Sequence, residues 1–379
     1  MYVKVGQFGA CIDHMRMCSG AQSRACLERD VANGGGGLRC ARMSRLLTWA
    51  PLALATSACA GTVDTDPTDA ANAAQTTAPL VEVTGFGSNP GALKMYEHVP
   101  PQLASSRDSN APLLVVLHGC TQRAADIAQA GWNELADENG FIVVYPEQQT
   151  SNNAMRCFSW SPALGSSDDI VRGKGENESI RQMVEKATAT HGIDPQRRYL
   201  TGFSAGGGMA AVMAATWPDV FAGVSTFAGI PYDCGSSFLD VGSCMNPGKD
   251  RTAEDWGNRV RRAFPTYEGP WPKVVVWQGT LDGVVGPKNQ TQLARQWTNV
   301  HGLPEAPSAT DTVDGHDHAV WTNDEGKVLV ETYAVRGMGH GIPVSPGAGC
   351  GVTGQYAFDK GICAARRLAE SFDLVRPTE

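Results

Sequence analysis

Short apolar segments alternate with helix-like segments along most of this chain, and this alternation restricts the fold more than any other feature of the sequence. Residues 113–117 are Leu-Leu-Val-Val-Leu, the composition of a strand buried on both faces of a parallel sheet. Residues 81–99 alternate in the manner of opening strands, and further buried strands are predicted at residues 141–145, 198–201, 223–227, 273–277 and 328–335. Helices are predicted at residues 124–139, 179–190, 205–217, 289–300 and 364–372. The pattern predicts an α/β fold with a mostly parallel, doubly wound sheet, in one domain over residues 80–379.

The segment before residue 80 has a different composition. Residues 43–59 combine a basic start, an apolar run and a small-residue end, which is typical of a secretory signal. Residues 1–42 precede this signal, and we expect them to be a mis-called or dispensable extension, with an ordered cysteine-rich module as the alternative. Residues 60–79 are rich in Ala, Thr and Asp and are expected to form a flexible linker. The chain is therefore predicted to be exported and extracellular.

The residues at the end of the predicted signal allow two interpretations. Thr56-Ser57-Ala58-Cys59 resembles a bacterial lipoprotein cleavage box, although Thr56 stands where a leucine-like residue is usual. Lipid attachment at Cys59, which would give a cell-surface lipoprotein, and plain secretion both remain open. No segment approaches the roughly 18 consecutive apolar residues of a transmembrane helix. Contact with a membrane is expected only through a lipid on Cys59, and we expect a monomer.

Charge and cysteine content narrow the function classes. After residue 59 the chain has 24 Lys and Arg against 36 Asp and Glu, a formal charge of -12, which argues against a nucleic-acid partner. The six cysteines that follow Cys59 are an even number in an exported chain and predict three disulfides. Proximity favours the pairs 234–244, 350–363 and 120–157, although the sequence alone cannot choose among the pairings. The metal-binding spacings Cys-x-x-Cys and His-x-x-x-His do not accompany these cysteines, so no metal site is expected.

A single Gly-x-Ser-x-Gly occurs in the chain, at Gly202-Phe203-Ser204-Ala205-Gly206. It lies between a predicted strand and a predicted helix, where two glycines allow a turn so sharp that the serine hydroxyl stands clear of the sheet. A serine hydroxyl is a weak nucleophile and needs a histidine base oriented by a carboxylate. A glycine-rich loop without chemistry is the alternative, so the prediction depends on an acid and a histidine further along the chain.

Asp282 and His340 meet that requirement in the required order. Asp282 follows the strand at residues 273–277, and His340 follows the strand at residues 328–335 between two glycines. Both would lie at the carboxyl edge of the sheet, level with Ser204. The alternative for Asp282 is a turn residue that caps the next helix. His118 is the competing histidine, and we expect it to shape the loop after the first buried strand.

That loop also predicts donors for a developing oxyanion. In this arrangement the N–H of the residue after the nucleophile, Ala205, acts with an N–H from the loop after an earlier strand, which we assign to Cys120.

These motifs together resemble a known family, the secreted polyhydroxybutyrate depolymerases and the feruloyl or acetylxylan esterases, grouped as depolymerase-like carbohydrate esterases of the α/β-hydrolase superfamily. The resemblance covers about residues 81–374. The motifs that carry it are Gly85-Phe86-Gly87-Ser88-Asn89-Pro90-Gly91, Leu117-His118-Gly119-Cys120-Thr121-Gln122, Tyr145-Pro146-Glu147-Gln148, Cys157-Phe158-Ser159-Trp160, residues 202–208, Gln278-Gly279-Thr280-Leu281-Asp282 and Gly337-Met338-Gly339-His340-Gly341-Ile342-Pro343.

The resemblance implies a serine esterase that needs no cofactor and forms an acyl-enzyme on Ser204, with His340 as base, Asp282 as its orienting acid and Cys120 and Ala205 as oxyanion donors. The sequence around His340 is more similar to the depolymerase branch, which implies poly(3-hydroxybutyrate)-type polyesters or their oligomers as substrate. Trp160 resembles an aromatic residue that lines the acyl subsite, and we expect it to be exposed to substrate. A feruloyl or acetylxylan esterase of plant cell wall, or a non-catalytic surface lipoprotein, are the alternatives.

Overall fold

The structure is a computed structural model that describes residues 80–104 and 110–375. The predicted N-terminal extension, signal and linker, residues 1–79, lie outside the described residues. Among the residues described, no helix is both long enough and apolar enough to cross a bilayer.

A large sheet of ten strands runs through the described part of the chain. Its strands are β1 (Val81–Val83), β2 (Lys94–His98), β3 (Leu113–Leu117), β4 (Ile142–Glu147), β5 (Arg198–Phe203), β6 (Gly223–Phe227), β7 (Lys273–Gly279), β8 (Ala309–Val313), β9 (His316–Thr322) and β10 (Val328–Val335). The strand order is β1-β2-β4-β3-β5-β6-β7-β10-β9-β8. The neighbouring strands β4, β3, β5, β6, β7 and β10 are parallel to one another. At the two ends of the sheet, β1 and β2 and then β9 and β8 pair antiparallel with their neighbours. Every residue of β3 and β6 is buried, because helices cover both faces of the central strands.

The helices are α1 (Ala124–Ala128), α2 (Trp132–Asn139), α3 (Gly175–His191), α4 (Ala205–Thr216), α5 (Phe238–Met245), α6 (Ala253–Ala263), α7 (Lys288–Val300) and α8 (Ala364–Ser371). A small second sheet pairs β11 (Ile342–Val344) with β12 (Ala357–Asp359) in parallel. The alternation of strands and helices confirms the predicted doubly wound α/β architecture. It also places the carboxyl ends of β3, β5, β7 and β10 along one edge of the sheet.

The prediction of one helix over residues 124–139 is wrong. Two helices, α1 and α2, occupy this range, and Gly131 lies between them with a φ of 98°. A side chain at this position would also lie 2.9 Å from the backbone nitrogen of Gly351, so the chain turns where only glycine fits.

Within the described residues, three disulfides link Cys120 to Cys157, Cys234 to Cys244 and Cys350 to Cys363. They confirm the pairs that proximity favoured. The first disulfide ties the loop after β3 to the loop after β4, and the third closes the segment between β11 and α8.

Candidate active site

Ser204 occupies a sharp turn between β5 and α4 and adopts φ 56° and ψ -117°, a conformation that non-glycine residues rarely take. Its N–H donates to the carbonyl of Phe227 on the neighbouring strand at 2.8 Å, which holds the turn against the sheet. The flanking glycines are a steric requirement. A Cβ on Gly202 would lie 2.2 Å from the carbonyl oxygen of Gly206, and a Cβ on Gly206 would lie 2.5 Å from that of His118. This is the elbow geometry that the sequence predicted.

His340 lies in the loop after β10, between Ser204 and Asp282. Its Nε2 is 2.9 Å from Ser204 Oγ, and its Nδ1 is 2.8 Å from Asp282 Oδ2. The rings of Phe203 and Tyr356 pack beside the imidazole, at centroid distances of 4.8 and 6.2 Å. The structure therefore brings together the three residues that the sequence singled out, in a continuous chain of hydrogen bonds.

Asp282 is 3% exposed and is held by donors on both carboxylate oxygens. Oδ1 accepts from the N–H groups of Val284 and Val285 at 2.8 and 2.9 Å, while Oδ2 accepts from Gln278 Nε2 at 3.2 Å as well as contacting His340. With Nδ1–H donating to the carboxylate, Nε2 of His340 presents its lone pair to the serine hydroxyl. Gln278 is part of the Gln-Gly-Thr-Leu-Asp motif, but no sequence pattern indicated a role for its side chain.

Cys120 and Ala205 lie on two segments in close backbone contact. Gly206, one residue after Ala205, packs directly on the carbonyls of Leu117 and His118, which precede Cys120. In the described part of the chain, the N–H groups of Cys120 and Ala205 have no hydrogen-bond acceptor. An oxyanion hole requires N–H donors that no other acceptor occupies.

The sequence model of the family described as "Esterase PHB depolymerase" matches residues 92–319. The chain belongs to this esterase family.

Relatives and a solved structure agree with that membership. The chain is 46% identical over 299 residues to poly(3-hydroxyalkanoate) depolymerase C of Paucimonas lemoignei, covering 78% of this chain and 70% of that protein. It is 34% identical over 274 residues to an acetylxylan esterase of Coprinopsis cinerea, covering 70% of both. Its fold is similar to that of an acetyl xylan esterase from Aspergillus awamori, with a TM-score of 0.65, 25% identity and coverage of 79% of this chain and 100% of that one. The protein is a carboxylic ester hydrolase with the α/β-hydrolase fold.

His118 of this esterase is fully buried beneath the Cys120 loop. Its Nδ1 donates to the carbonyl of Gly119 at 2.7 Å, and its Nε2 accepts from the N–H of Gln148 at 3.0 Å. Burial lowers the pKa of His118 to about 4, so the imidazole is neutral near pH 7. Both ring nitrogens are engaged, which agrees with the prediction that His118 shapes the loop.

Glu176 is a buried carboxylate of the esterase that the sequence did not suggest. It accepts from the N–H and the Oγ of Ser159, both at 2.8 Å, and from Gln148 Nε2 at 2.5 Å. Burial, followed by the charge of Asp169, raises the pKa of Glu176 to about 7. Gln148 also donates to the carbonyl of Cys157 at 3.3 Å, so this carboxylate supports the segment to which Cys120 is bonded.

Trp160 differs from its prediction. We expected an aromatic ring exposed to substrate, but Trp160 is only 5% exposed and packs against Gly208 in the first turn of α4. A Cβ at Gly208 would lie 2.6 Å from the Trp160 ring, so the side chain fills the space that this glycine leaves. The expected exposure is wrong because this helix turn admits the indole into the core. Tyr356, which no sequence pattern indicated, is the half-buried aromatic residue beside the His340 ring.

Among the described residues, no group of three or more His, Cys, Asp or Glu side chains is arranged to hold a metal ion.

Proposed function

We propose that the esterase hydrolyses the ester bonds of poly(3-hydroxybutyrate)-type polyesters or their oligomers, with Ser204 as nucleophile, His340 as base and Asp282 as the acid that orients it. The observation that carries this proposal is the continuous hydrogen-bond chain from Ser204 Oγ through His340 to Asp282. The polyester substrate is supported by the higher identity to the depolymerase, 46%, than to the acetylxylan esterase, 34%.

In the proposed reaction, Ser204 Oγ attacks the ester carbonyl carbon while His340 Nε2 takes the hydroxyl proton. The oxyanion that forms accepts hydrogen bonds from the N–H groups of Cys120 and Ala205, each worth roughly 3 kcal/mol of transition-state stabilisation. When the intermediate collapses, the bond between the carbonyl carbon and the alcohol oxygen breaks, and His340 returns the proton to the leaving alcohol. The acyl group then remains on Ser204.

Water hydrolyses the acyl-enzyme by the same route, with His340 taking a proton from water and returning it to Ser204 Oγ. Asp282 holds the imidazole in the required tautomer and stabilises its protonated form in both halves of the reaction. The chain's own residues and water carry each step, so the proposal includes no cofactor.

An acetylxylan or feruloyl esterase activity is the second candidate. It is supported by 34% identity to the acetylxylan esterase of Coprinopsis cinerea and 32% identity over 274 residues to feruloyl esterase B of Talaromyces funiculosus. All three substrates would use the same reacting groups, and the acyl and alcohol parts distinguish them.

The substrate test compares clearing of a poly(3-hydroxybutyrate) emulsion with release of acetate and ferulate from substituted xylan. We expect clearing by the wild type and none by Ser204→Ala, while Ser236→Ala, which changes an exposed serine, should retain full activity. Release of acetate or ferulate, with neither clearing nor hydrolysis of soluble 3-hydroxybutyrate oligomers, would refute the polyester substrate. Undiminished turnover by Ser204→Ala would refute the assigned nucleophile.

The cellular location belongs to the same proposal. Three disulfides support an exported protein, because such bonds persist in oxidising compartments. We propose a secreted monomer, and a lipid on Cys59 remains a prediction that mass spectrometry of the native protein would test.

A further inference from the structure

A cavity of about 160 Å³ lies beside the candidate triad, between α1 and the segment that follows His340. We refer to it as the Tyr356 cavity. Its lining includes Gln122, two residues after Cys120, and Ile342, two residues after His340. Tyr356 forms a wall shared with the triad, because its ring centre is 6.2 Å from that of His340 and 5.6 Å from that of Phe203, the residue before Ser204.

The position of this wall identifies the part of the substrate that the cavity faces. In ester hydrolysis the acyl group stays on the nucleophile, while the alcohol oxygen must receive a proton from the base. The leaving alcohol therefore departs within reach of His340 Nε2. Tyr356 packs beside the His340 ring and also lines the cavity, so the cavity adjoins the base that protonates the leaving alcohol.

The size of the cavity limits the group that it accepts. A protein cavity of about 150 Å³ holds benzene, a ligand of about six non-hydrogen atoms. One 3-hydroxybutyrate repeat unit has the same number of non-hydrogen atoms, four carbon and two oxygen, whereas a xylose ring with its hydroxyl groups is larger. The Tyr356 cavity thus matches one polyester unit in size.

The chemistry of the lining also suits such a unit. Ile127, Ala130 and Val352 offer apolar surface for a methyl branch, and the amides of Gln122 and Gln355 offer donors for an ester carbonyl. The carboxylate of Asp126 also lies in the lining, where its negative charge disfavours a ligand that ends in a free carboxylate. A unit inside a polyester chain, or a terminal unit whose carboxyl group is esterified, carries no charge and avoids that repulsion.

We propose that the Tyr356 cavity is the subsite for the hydroxyalkanoate unit on the alcohol side of the cleaved bond. This inference rests on the proposed function, since it assumes that Ser204 and His340 act as nucleophile and base. It adds a determinant of substrate choice that is separate from the acyl group.

The test uses two neutral substrates with the same acyl group. Methyl 3-hydroxybutyrate releases methanol, and the methyl ester of the 3-hydroxybutyrate dimer releases methyl 3-hydroxybutyrate when its internal bond is cleaved. Chromatography separates the products of the two ester bonds. Val352→Trp fills the cavity from its rim, where Val352 is 48% exposed, and Val81→Trp makes the same change at a valine that is 60% exposed on β1.

We expect Val352→Trp to lower kcat/KM for the internal bond of the dimer ester by tenfold or more, and to change kcat/KM for methyl 3-hydroxybutyrate by less than twofold. Val81→Trp should leave both values unchanged, and the methyl ester activity itself reports that each variant is folded. An equal loss on both substrates, or no loss on the dimer, would overturn the subsite.

Failure of the polyester proposal gives a different result. In that case the wild type hydrolyses acetate esters but neither hydroxybutyrate ester. The subsite is then judged with methyl acetate and isobutyl acetate, and Val352→Trp must selectively impair the isobutyl ester for the alcohol-side assignment to stand.

Discussion

Replacing Glu176 by Gln should remove a pH-dependent loss of stability from the esterase. Glu176 is 3% exposed, and its pKa rises from 4.5 to about 7 in the folded protein. Between these two values the folded protein holds a proton that the unfolded chain has released, so the stabilising effect of this proton is complete below pH 4.5 and is lost as the pH rises through 7.

The size of the effect follows from the shift. About 1.4 kcal/mol per pKa unit gives a loss of about 3 kcal/mol in the free energy of unfolding between pH 4.5 and pH 8. For a domain of this size, each kcal/mol changes the melting temperature by about 2 °C. The amide of Gln keeps the shape of the protonated carboxyl group and cannot ionise. Because part of the loss has already occurred at pH 5, Glu176→Gln should gain about 5 °C relative to the wild type between pH 5 and pH 8.

The measurement is the melting temperature of both proteins in matched buffers from pH 5 to pH 8. Taking the difference at each pH cancels the titration of groups that the two proteins share. The control is Glu138→Gln, which removes an exposed carboxylate that pairs with Arg366, and its difference from wild type should stay constant over the same range. A Glu176→Gln difference that does not change with pH would refute the assignment of the raised pKa to this buried site.

Three further variants test the catalytic geometry. Gln278→Leu removes the Nε2 donor to Asp282 and to the carbonyl of Val285, and it should lower kcat/KM for p-nitrophenyl butyrate about tenfold. The melting temperature should also fall, because the buried Val285 carbonyl loses its donor; unchanged kinetics would contradict the role of Gln278. Gly206→Ala places a Cβ 2.5 Å from the carbonyl of His118, and we expect no soluble active enzyme, so an active soluble variant would refute the steric argument. Replacing Cys120 and Cys157 together by Ala should lower kcat several-fold with KM nearly unchanged, because the N–H of residue 120 loses its support; a raised KM with kcat unchanged would point to binding instead.

The central strands could be predicted from sequence because burial on both faces leaves a continuous apolar run, as in β3 and β6. The antiparallel pair β8 and β9 was missed because its residues are polar, with Thr, Asp and His on an exposed edge. Asp314 and Gly315, both with positive φ, form its turn, and an Asp-Gly pair was the signal that could have found it. Helix α6 was missed in a similar way, although Thr252 caps it by accepting from the N–H of Asp255, a spacing that is visible in the sequence.

The residues of the candidate site also fall into two groups, those that a local sequence pattern locates and those that depend on contacts distant in the sequence. Ser204, Asp282 and His340 could be located because each follows a predicted strand, and the ends of parallel strands meet at one edge of the sheet. Glu176 and Tyr356 could not be located. Their importance comes from contacts between segments that are distant in the sequence, such as the bond from Gln148 to Glu176, and no local pattern encodes these contacts. The expected exposure of Trp160 failed for the same reason, since its burial depends on a glycine in another element.

The segment from His340 to α8 has two structural roles: it positions the base, and it lines the neighbouring cavity. It fixes the base, because the N–H of Ile342 donates to the carbonyl of Tyr356 at 2.8 Å and the Phe358 ring packs on Gly341, the residue after His340. The same segment supplies Tyr356 and Val352 to the cavity beside the base, and the disulfide between Cys350 and Cys363 closes it. A substitution at buried Ile342 would therefore alter the position of His340 together with the cavity. Rim positions such as Val352 make no such contact with the base, and they are where alcohol preference can change while the triad geometry is retained.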